Sequence, residues 1–406
     1  MSEKINRSQK KQSFVLWAVF LLTSTVVLIT LISVIFPSLI LGINDDLPKY
    51  PEKINVYELG TLAYPLLATN FVVVGLVILY SKNKLPSTFT KSINFILGFE
   101  ISSKVAFLVV VILLGLYIIL TIDEISRGEP WEDYARTVKP KLEKWNIQEF
   151  THLTGNPLTF FFETTSMNIF GNYKVIPFIA SIALLVLTYF ITVQISKKKF
   201  AGIISVIFVL SSTIFLTYDT SITYPNFWIL FYLLSLFTIN KVWPLSPISF
   251  ILAVASKPIS VFFLPMTLFF IYRSNLSEKK KFQIIVSYLI IVILGISIVF
   301  LLDIDLFDRF TYDNHEFWSG FTTISSQFRF DGLIIVFLLP LTIGLFILSR
   351  KCFKWGESIM VLILSMLLLA PIISGFTTYT NNPYRFIPLI IFFAIGVGSL
   401  FSKRVS

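Results

Sequence analysis

Long apolar runs alternate along this chain with short polar stretches, and most of the runs are close to the length of a membrane helix. Crossing the hydrocarbon core of a bilayer takes about 20 apolar residues in a helix. By that measure the pattern predicts spans at 14–40, 62–80, 105–122, 175–195, 201–217, 227–239, 284–302, 333–348, 358–373 and 388–401. Residues 244–272 form an apolar stretch too long for one crossing. Ser256, Lys257 and Pro258 interrupt it, which predicts two short helices meeting at a polar tip. Together these give about 12 crossings. The largest polar stretch, 123–173, carries helical patterning of its own. Trp131, Tyr134, Ala135, Val138, Leu142 and Trp145 share one face, interrupted at Pro140. Asn156-Pro157 then opens a second amphipathic piece over 158–170, bearing Phe160, Phe161, Phe162 and Phe170. The expected fold is an all-α polytopic membrane protein with amphipathic helices lying on the membrane surface.

Composition agrees with that pattern. With 55% hydrophobic residues, 14% charged and a mean hydropathy of +0.80, the chain carries more apolar surface than a soluble domain of 406 residues can hide. The first apolar run follows Lys4, Arg7, Lys10 and Lys11, as a signal peptide would. It is too long and has no small-residue cleavage site, so an uncleaved anchor is expected. The single cysteine, Cys352, excludes an internal disulfide and a cysteine-cluster metal site.

A formal net charge of +10 would by itself suggest nucleic acid, but the distribution of charge points elsewhere. With the N-terminus placed inside and the sides alternating, the inner segments hold 21 of the 33 basic residues and four of the 23 acidic ones. This is the positive-inside pattern that orients helices during insertion. It predicts a cell-membrane protein with both termini cytoplasmic and no nucleic-acid partner.

The chemistry-bearing residues then gather on the outer side. Asp123-Glu124 closes the third span, and Asp219 occupies a short turn between two spans. Lys257 sits at the tip of the helix pair, and Tyr384-Arg385 opens the last span. Carboxylates where a membrane helix meets water are costly to keep and are usually functional. Carboxylates and separated cations at one face suit a substrate with a phosphate leaving group and a hydroxyl acceptor: Arg and Lys hold the phosphate, and a carboxylate takes the hydroxyl proton. His315, with Asp313 and Glu316, has the composition of a divalent-metal site, although a solvated loop accounts for these residues better.

The order of these features resembles the GT-C glycosyltransferase superfamily, polytopic enzymes that use polyprenyl-phosphate sugars, among them protein mannosyltransferases and aminoarabinose transferases. The resemblance runs from Leu116 to Phe401. Its pieces are Ile122-Asp123-Glu124, Gly128-Glu129-Pro130-Trp131-Glu132-Asp133-Tyr134, Asn156-Pro157-Leu158 with the following Phe160-Phe161-Phe162, and Ile169-Phe170-Gly171. Then come Tyr218-Asp219, Ser256-Lys257-Pro258, Leu264-Pro265 and Tyr384-Arg385-Phe386-Ile387-Pro388. The two spans before 105 stand outside the resemblance. It implies a GT-C-like domain over 105–406 with its site loop at 123–173, preceded by a tail and two added helices over 1–104.

On the same resemblance, the chain transfers a single hexose, mannose or another, from a polyprenyl-phosphate carrier to a lipid-linked glycan, lipid or protein acceptor. The transfer inverts the anomeric centre. Asp123 is the expected base with Glu124 sharing the role; Asp219, Asp133 and Tyr384 bind substrate, and Lys257 and Arg385 grip the lipid phosphate. Metal use varies within the superfamily, so a divalent ion is left open and no ligand is nominated. Two rivals remain: a catalytically silent scaffold subunit of a membrane complex, and a lipid or solute transporter. Mostly uncharged span centres count against ion-coupled transport.

Overall fold

The computed structural model describes residues 2–41, 55, 57–145, 156–301, 312–328, 331–351, 353–376 and 383–402. Among them the chain is all-helical, without a strand. The first third holds α1 (Ser2–Ile35), α2 (Pro37–Leu41), α3 (Ala63–Ser81), α4 (Ser87–Gly98) and α5 (Ser103–Ser126). The middle holds α6 (Lys139–Lys144), α7 (Pro157–Phe170), α8 (Val175–Ser196), α9 (Lys199–Leu210), α10 (Thr213–Tyr218) and α11 (Phe227–Ile239). Then follow α12 (Leu245–Ser256), α13 (Leu264–Arg273), α14 (Glu278–Leu301) and α15 (Asn314–Gln327). The chain closes with α16 (Gly332–Arg350), α17 (Trp355–Phe376) and α18 (Ile387–Ser399).

Among the described residues six helices are long and apolar enough to cross a membrane: Phe14–Ile35 within α1, and α3, α5, α8, α16 and α17. Length divides them from the rest. At 1.5 Å per residue, α9, α11 and α12, with 12, 13 and 12 residues, reach only about 20 Å. The expected run at 201–217 is broken because Ser211-Ser212 ends α9, and the Ser212 hydroxyl accepts from Phe215 N at 3.1 Å to cap α10. The first run stops at Ile35, before Pro37 begins a separate helix. The 244–272 stretch does break at Lys257, through a 3-10 turn over Pro258–Phe263 into α13.

The chain forms two compact units, Met1–Phe99 with Leu302–Ser406, and Glu100–Leu301. The C-terminal hundred residues group with the N-terminal spans in one unit. The reason is contact: α1 lies against α15, α16 and α17. Ser33 Oγ donates to Phe321 O at 3.0 Å, and Asn70 Nδ2 ties α3 to Val336 O of α16 at 2.9 Å. At Gly320, α15 approaches α17 so closely that a Cβ would lie 2.5 Å from Pro371 Cα. The sequence pattern missed α4, which has no buried residue. Its Phe89, Ile93, Ile96 and Leu97 fall on one face, and Tyr80 OH donates to Asn94 Oδ1 at 2.7 Å.

In the second unit α8 packs on α9 and α11, and α11 on α12, around a core of Trp228, Tyr232, Phe250, Phe263 and Tyr288. Helix α5 covers α8 and α9 with a narrow stripe and turns the rest outward. Phe107 is 72% exposed and Leu120 79%, which suits a face against lipid. Pro140 does not interrupt a helix as expected. Residues 132–144 stay helical through it, with a π-helical turn over Tyr134–Val138 directly before α6.

Candidate functional site

The stripe that α5 buries runs at helical spacing through Ala106, Tyr117 and Thr121 and ends on Glu124. Residues 117, 121 and 124 are i, i+4 and i+7, so they share one face. Asp123 lies well round the helix from them. Periodicity therefore splits the acidic pair. Asp123 is exposed, and its main-chain oxygen accepts from Ser126 Oγ. Glu124 is half-buried, with Oε2 accepting from Thr220 Oγ1 at 3.3 Å and its main-chain oxygen accepting from Lys174 Nζ at 3.2 Å.

Behind Glu124 stands Asp219, just past the end of α10 and only 1% exposed. Its Oδ2 accepts from Tyr117 OH at 2.7 Å, while Oδ1 has no hydrogen-bond partner. The main chain is fastened as well: Ser181 Oγ donates to Asp219 O at 2.7 Å and accepts from Asn226 Nδ2 at 3.0 Å. Burial pushes the Asp219 carboxyl up to about 7. The Tyr117 hydrogen bond opposes that rise and the Glu124 charge adds to it.

Residues 128–134 lie across this turn as a strap held at three points. Glu129 Oε1 accepts from Ser221 Oγ at 2.6 Å and from Thr223 N at 3.1 Å. Trp131 stacks on Tyr218 with ring centroids 4.9 Å apart. Asp133 Oδ2 accepts from Tyr224 OH at 2.5 Å. Glu129 Oε2 faces Lys174 Nζ at 3.5 Å, an ion pair whose side chains are 0% and 6% exposed. Asn172 completes the frame by donating from Nδ2 to Ile125 O at 2.9 Å.

Lys257 belongs to the same unit. Its ammonium lies 5.4 Å from the centroid of the Trp228 ring, and Trp228 is the second residue of α11, two past Asn226. Thr159 Oγ1 of α7 donates to Ser256 O at 2.9 Å, which fixes the break that presents Lys257. Tyr384 and Arg385 belong to the other unit. They form a 3-10 turn ahead of α18, with Tyr384 buried and Arg385 Nε donating to Tyr384 OH at 3.3 Å.

Of the residues expected from the sequence, then, Glu124, Asp219 and Asp133 join one network, and Asp123 faces away from it. Tyr117, Glu129, Lys174, Thr220 and Ser221 belong to the network without having been singled out. Counting α5 in steps of three and four would have found Tyr117 and chosen Glu124 over Asp123. Glu163 was missed too, although it is the one charge in the aromatic-rich helix α7 and shares a face with Thr159 and Ser166. Among the described residues no three of His, Cys, Asp or Glu gather as a metal site. The side chain of His315 lies outside the described part. The chain matches no protein-family model, no curated protein and no solved structure.

Proposed function

We propose that this chain is a polytopic GT-C-type glycosyltransferase of the cell membrane. In this reading it has about 12 crossings and cytoplasmic termini, and moves one hexose from a polyprenyl-phosphate carrier to a hydroxyl of a lipid-linked glycan, lipid or protein on the outer face. The observation that carries the reading is a carboxylate pair at the mouth of a membrane helix: a half-buried Glu124 backed by a buried Asp219 with one oxygen free. Glu124 is the base and Asp219 a positioning residue acting through Thr220. Asp133, exposed on the strap, binds the acceptor. Lys257 takes the lipid phosphate as a point charge.

In the reaction the acceptor oxygen forms a bond to the anomeric carbon from the face opposite the phosphate. The bond from that carbon to the phosphate oxygen breaks, and polyprenyl phosphate leaves with the electron pair. The hydroxyl proton passes to Glu124. One displacement inverts the centre, without a covalent enzyme intermediate.

The test is transfer of labelled hexose from polyprenyl-phosphate hexose in membranes holding each variant. Glu124→Gln is expected to lose about 100-fold or more, the range of general-base catalysis, while Asp123→Asn stays within about threefold of the parent. Full activity of Glu124→Gln would sink the assignment. The buried Glu163 favours one rival, a proton-coupled transporter. Solute uptake into proteoliposomes driven by an imposed pH gradient would support that rival instead.

A further inference from the structure

Helix α4 buries no side chain. Its apolar face lies open: Phe89 is 62% exposed and Ile96 50%, with Ile93 and Leu97 half-buried beside them. Lys91 stands on the opposite side of the helix, as its position in the 3.6-residue period requires. With 12 residues, α4 is no longer than the length, about 12–15 residues, below which a helix alone in water is marginal. What holds such a helix is a surface that takes up its apolar side.

Two observations say which surface that is. The first is the tether. α4 starts five residues after α3 and ends four residues before α5, both helices of spanning length. Five residues reach at most about 18 Å and four about 14 Å. Asn83, in the left-handed region at φ 55°, turns the chain sharply out of α3, and Lys84 N donates back to Leu79 O at 2.9 Å. Across that turn Tyr80 OH donates to Asn94 Oδ1 at 2.7 Å, which keeps α4 beside the end of α3. The second is charge. Residues 82–102 carry Lys82, Lys84 and Lys91, all exposed, against Glu100 alone. Glu100 Oε1 is itself engaged, accepting from Ile101 N and Lys199 N, both at 3.1 Å. An open aromatic and aliphatic face with lysines around it, at the end of a membrane helix, is complementary to a negatively charged bilayer surface.

We propose that α4 is a binding site for anionic membrane lipid: Phe89, Ile93, Ile96 and Leu97 enter the acyl boundary beside the end of α3, and Lys82, Lys84 and Lys91 hold lipid phosphates in the headgroup layer. The two halves of the site do different work. The apolar face sets depth and would enter a neutral bilayer as readily. The ammonium groups set the choice of headgroup, each donating to phosphate oxygens as a point charge. The site rests on the chain being a membrane protein and not on the transferase reading, so a transporter or a scaffold would carry it equally.

The test uses the full-length protein in nanodiscs of phosphatidylcholine and phosphatidylglycerol in equal parts. Cys352→Ser removes the native thiol. Ile96→Cys or Phe89→Cys then carries a fluorescent label, with Ser87→Cys as the control on the polar side. Bromines on the acyl chains of one lipid at a time quench a label that meets that lipid, and iodide quenches one that meets water. The labels at 96 and 89 are expected to be quenched by brominated lipid and spared by iodide, and the label at 87 the reverse. Brominated phosphatidylglycerol is expected to quench about fivefold more than brominated phosphatidylcholine, the preference that one lysine near the surface confers. That excess is expected to vanish when Lys82→Gln, Lys84→Gln and Lys91→Gln are combined. Iodide quenching at 96 and 89 overturns the lipid-facing side, and so does protection from both quenchers, which would mean that a protein covers it. Equal quenching by the two lipids, or an excess that survives loss of the three lysines, overturns the anionic headgroup.

Discussion

The unit built from the two chain ends and the acidic end of the middle unit bury polar side chains in different ways. In the first, buried hydroxyls and amides mostly return to main-chain carbonyls. Thr30 donates to Val26 O, Thr342 to Leu338 O, and Asn70 to Leu66 O as well as Val336 O. Such bonds satisfy a donor inside a helix and are indifferent to pH. At the acidic end the bonds run between side chains far apart in sequence: Tyr117 to Asp219, Thr220 to Glu124, Ser221 to Glu129. Three carboxyl oxygens there lack hydrogen bonds on Glu129 and Glu163, and a fourth on Asp219. One region uses polar groups to join helices, and the other gathers charge in a network of side chains.

That contrast breaks first at Lys174. It is the partner of Glu129 at 3.5 Å, it is buried, and it also donates to Glu124 O. Removing one member of a buried pair leaves the other charge unmet and typically costs about 3–5 kcal/mol. Lys174→Met is expected to lower the stability of the purified protein by that amount, read from denaturation in mild detergent. A loss under about 1 kcal/mol, the range of a surface pair, would show that the cluster is solvated like any exposed ion pair.

Asp219 gives a smaller and pH-dependent effect. The folded protein raises its carboxyl from 3.8 to about 7, so the folded state binds that proton more tightly than the unfolded chain does. Its contribution to stability is fully present below about pH 4 and is lost as pH rises through 7. At about 1.4 kcal/mol for each pH unit, the loss is on the order of 4 kcal/mol. Asp219→Asn is expected to flatten this decline, gaining on wild type most at pH 8 and little at pH 4. Parallel stability curves for the two proteins would remove Asp219 from the buried charge.

Much of this was legible in the sequence, and the parts that were not share a cause. Hydropathy alone locates α3, α8, α11, α16 and α17 to within a few residues, because a run of apolar side chains has few other places to go. Lys257-Pro258 announces its own break. The acidic pair was seen, but apolar run length says only where a helix ends; choosing Glu124 over Asp123 takes helical phase as well. Glu129 and Lys174 lie 45 residues apart, and nothing local in either segment predicts their 3.5 Å approach. The joining of α1 to α15, α16 and α17 is likewise a tertiary fact, invisible to any window shorter than the chain.

The smallest expected effect belongs to the other side of the comparison and sharpens it. Gly320 sits where α15 meets α17, and a Cβ there would lie 2.5 Å from Pro371 Cα, 2.8 Å from its N and 3.1 Å from Ala370 C. These are backbone atoms within a helix, so no flexible side-chain end can move aside. The helices must part, and overpacking of that kind costs about 1–3 kcal/mol. Gly320→Ala is therefore expected to lower stability by the same amount at pH 4 and at pH 8, since no proton is bound or released at that contact. Asp219→Asn shifts stability with pH, so measuring the two variants side by side separates a packing contact from a buried charge. If the Gly320→Ala deficit itself varied with pH, the contact between α15 and α17 would not be one of packing alone.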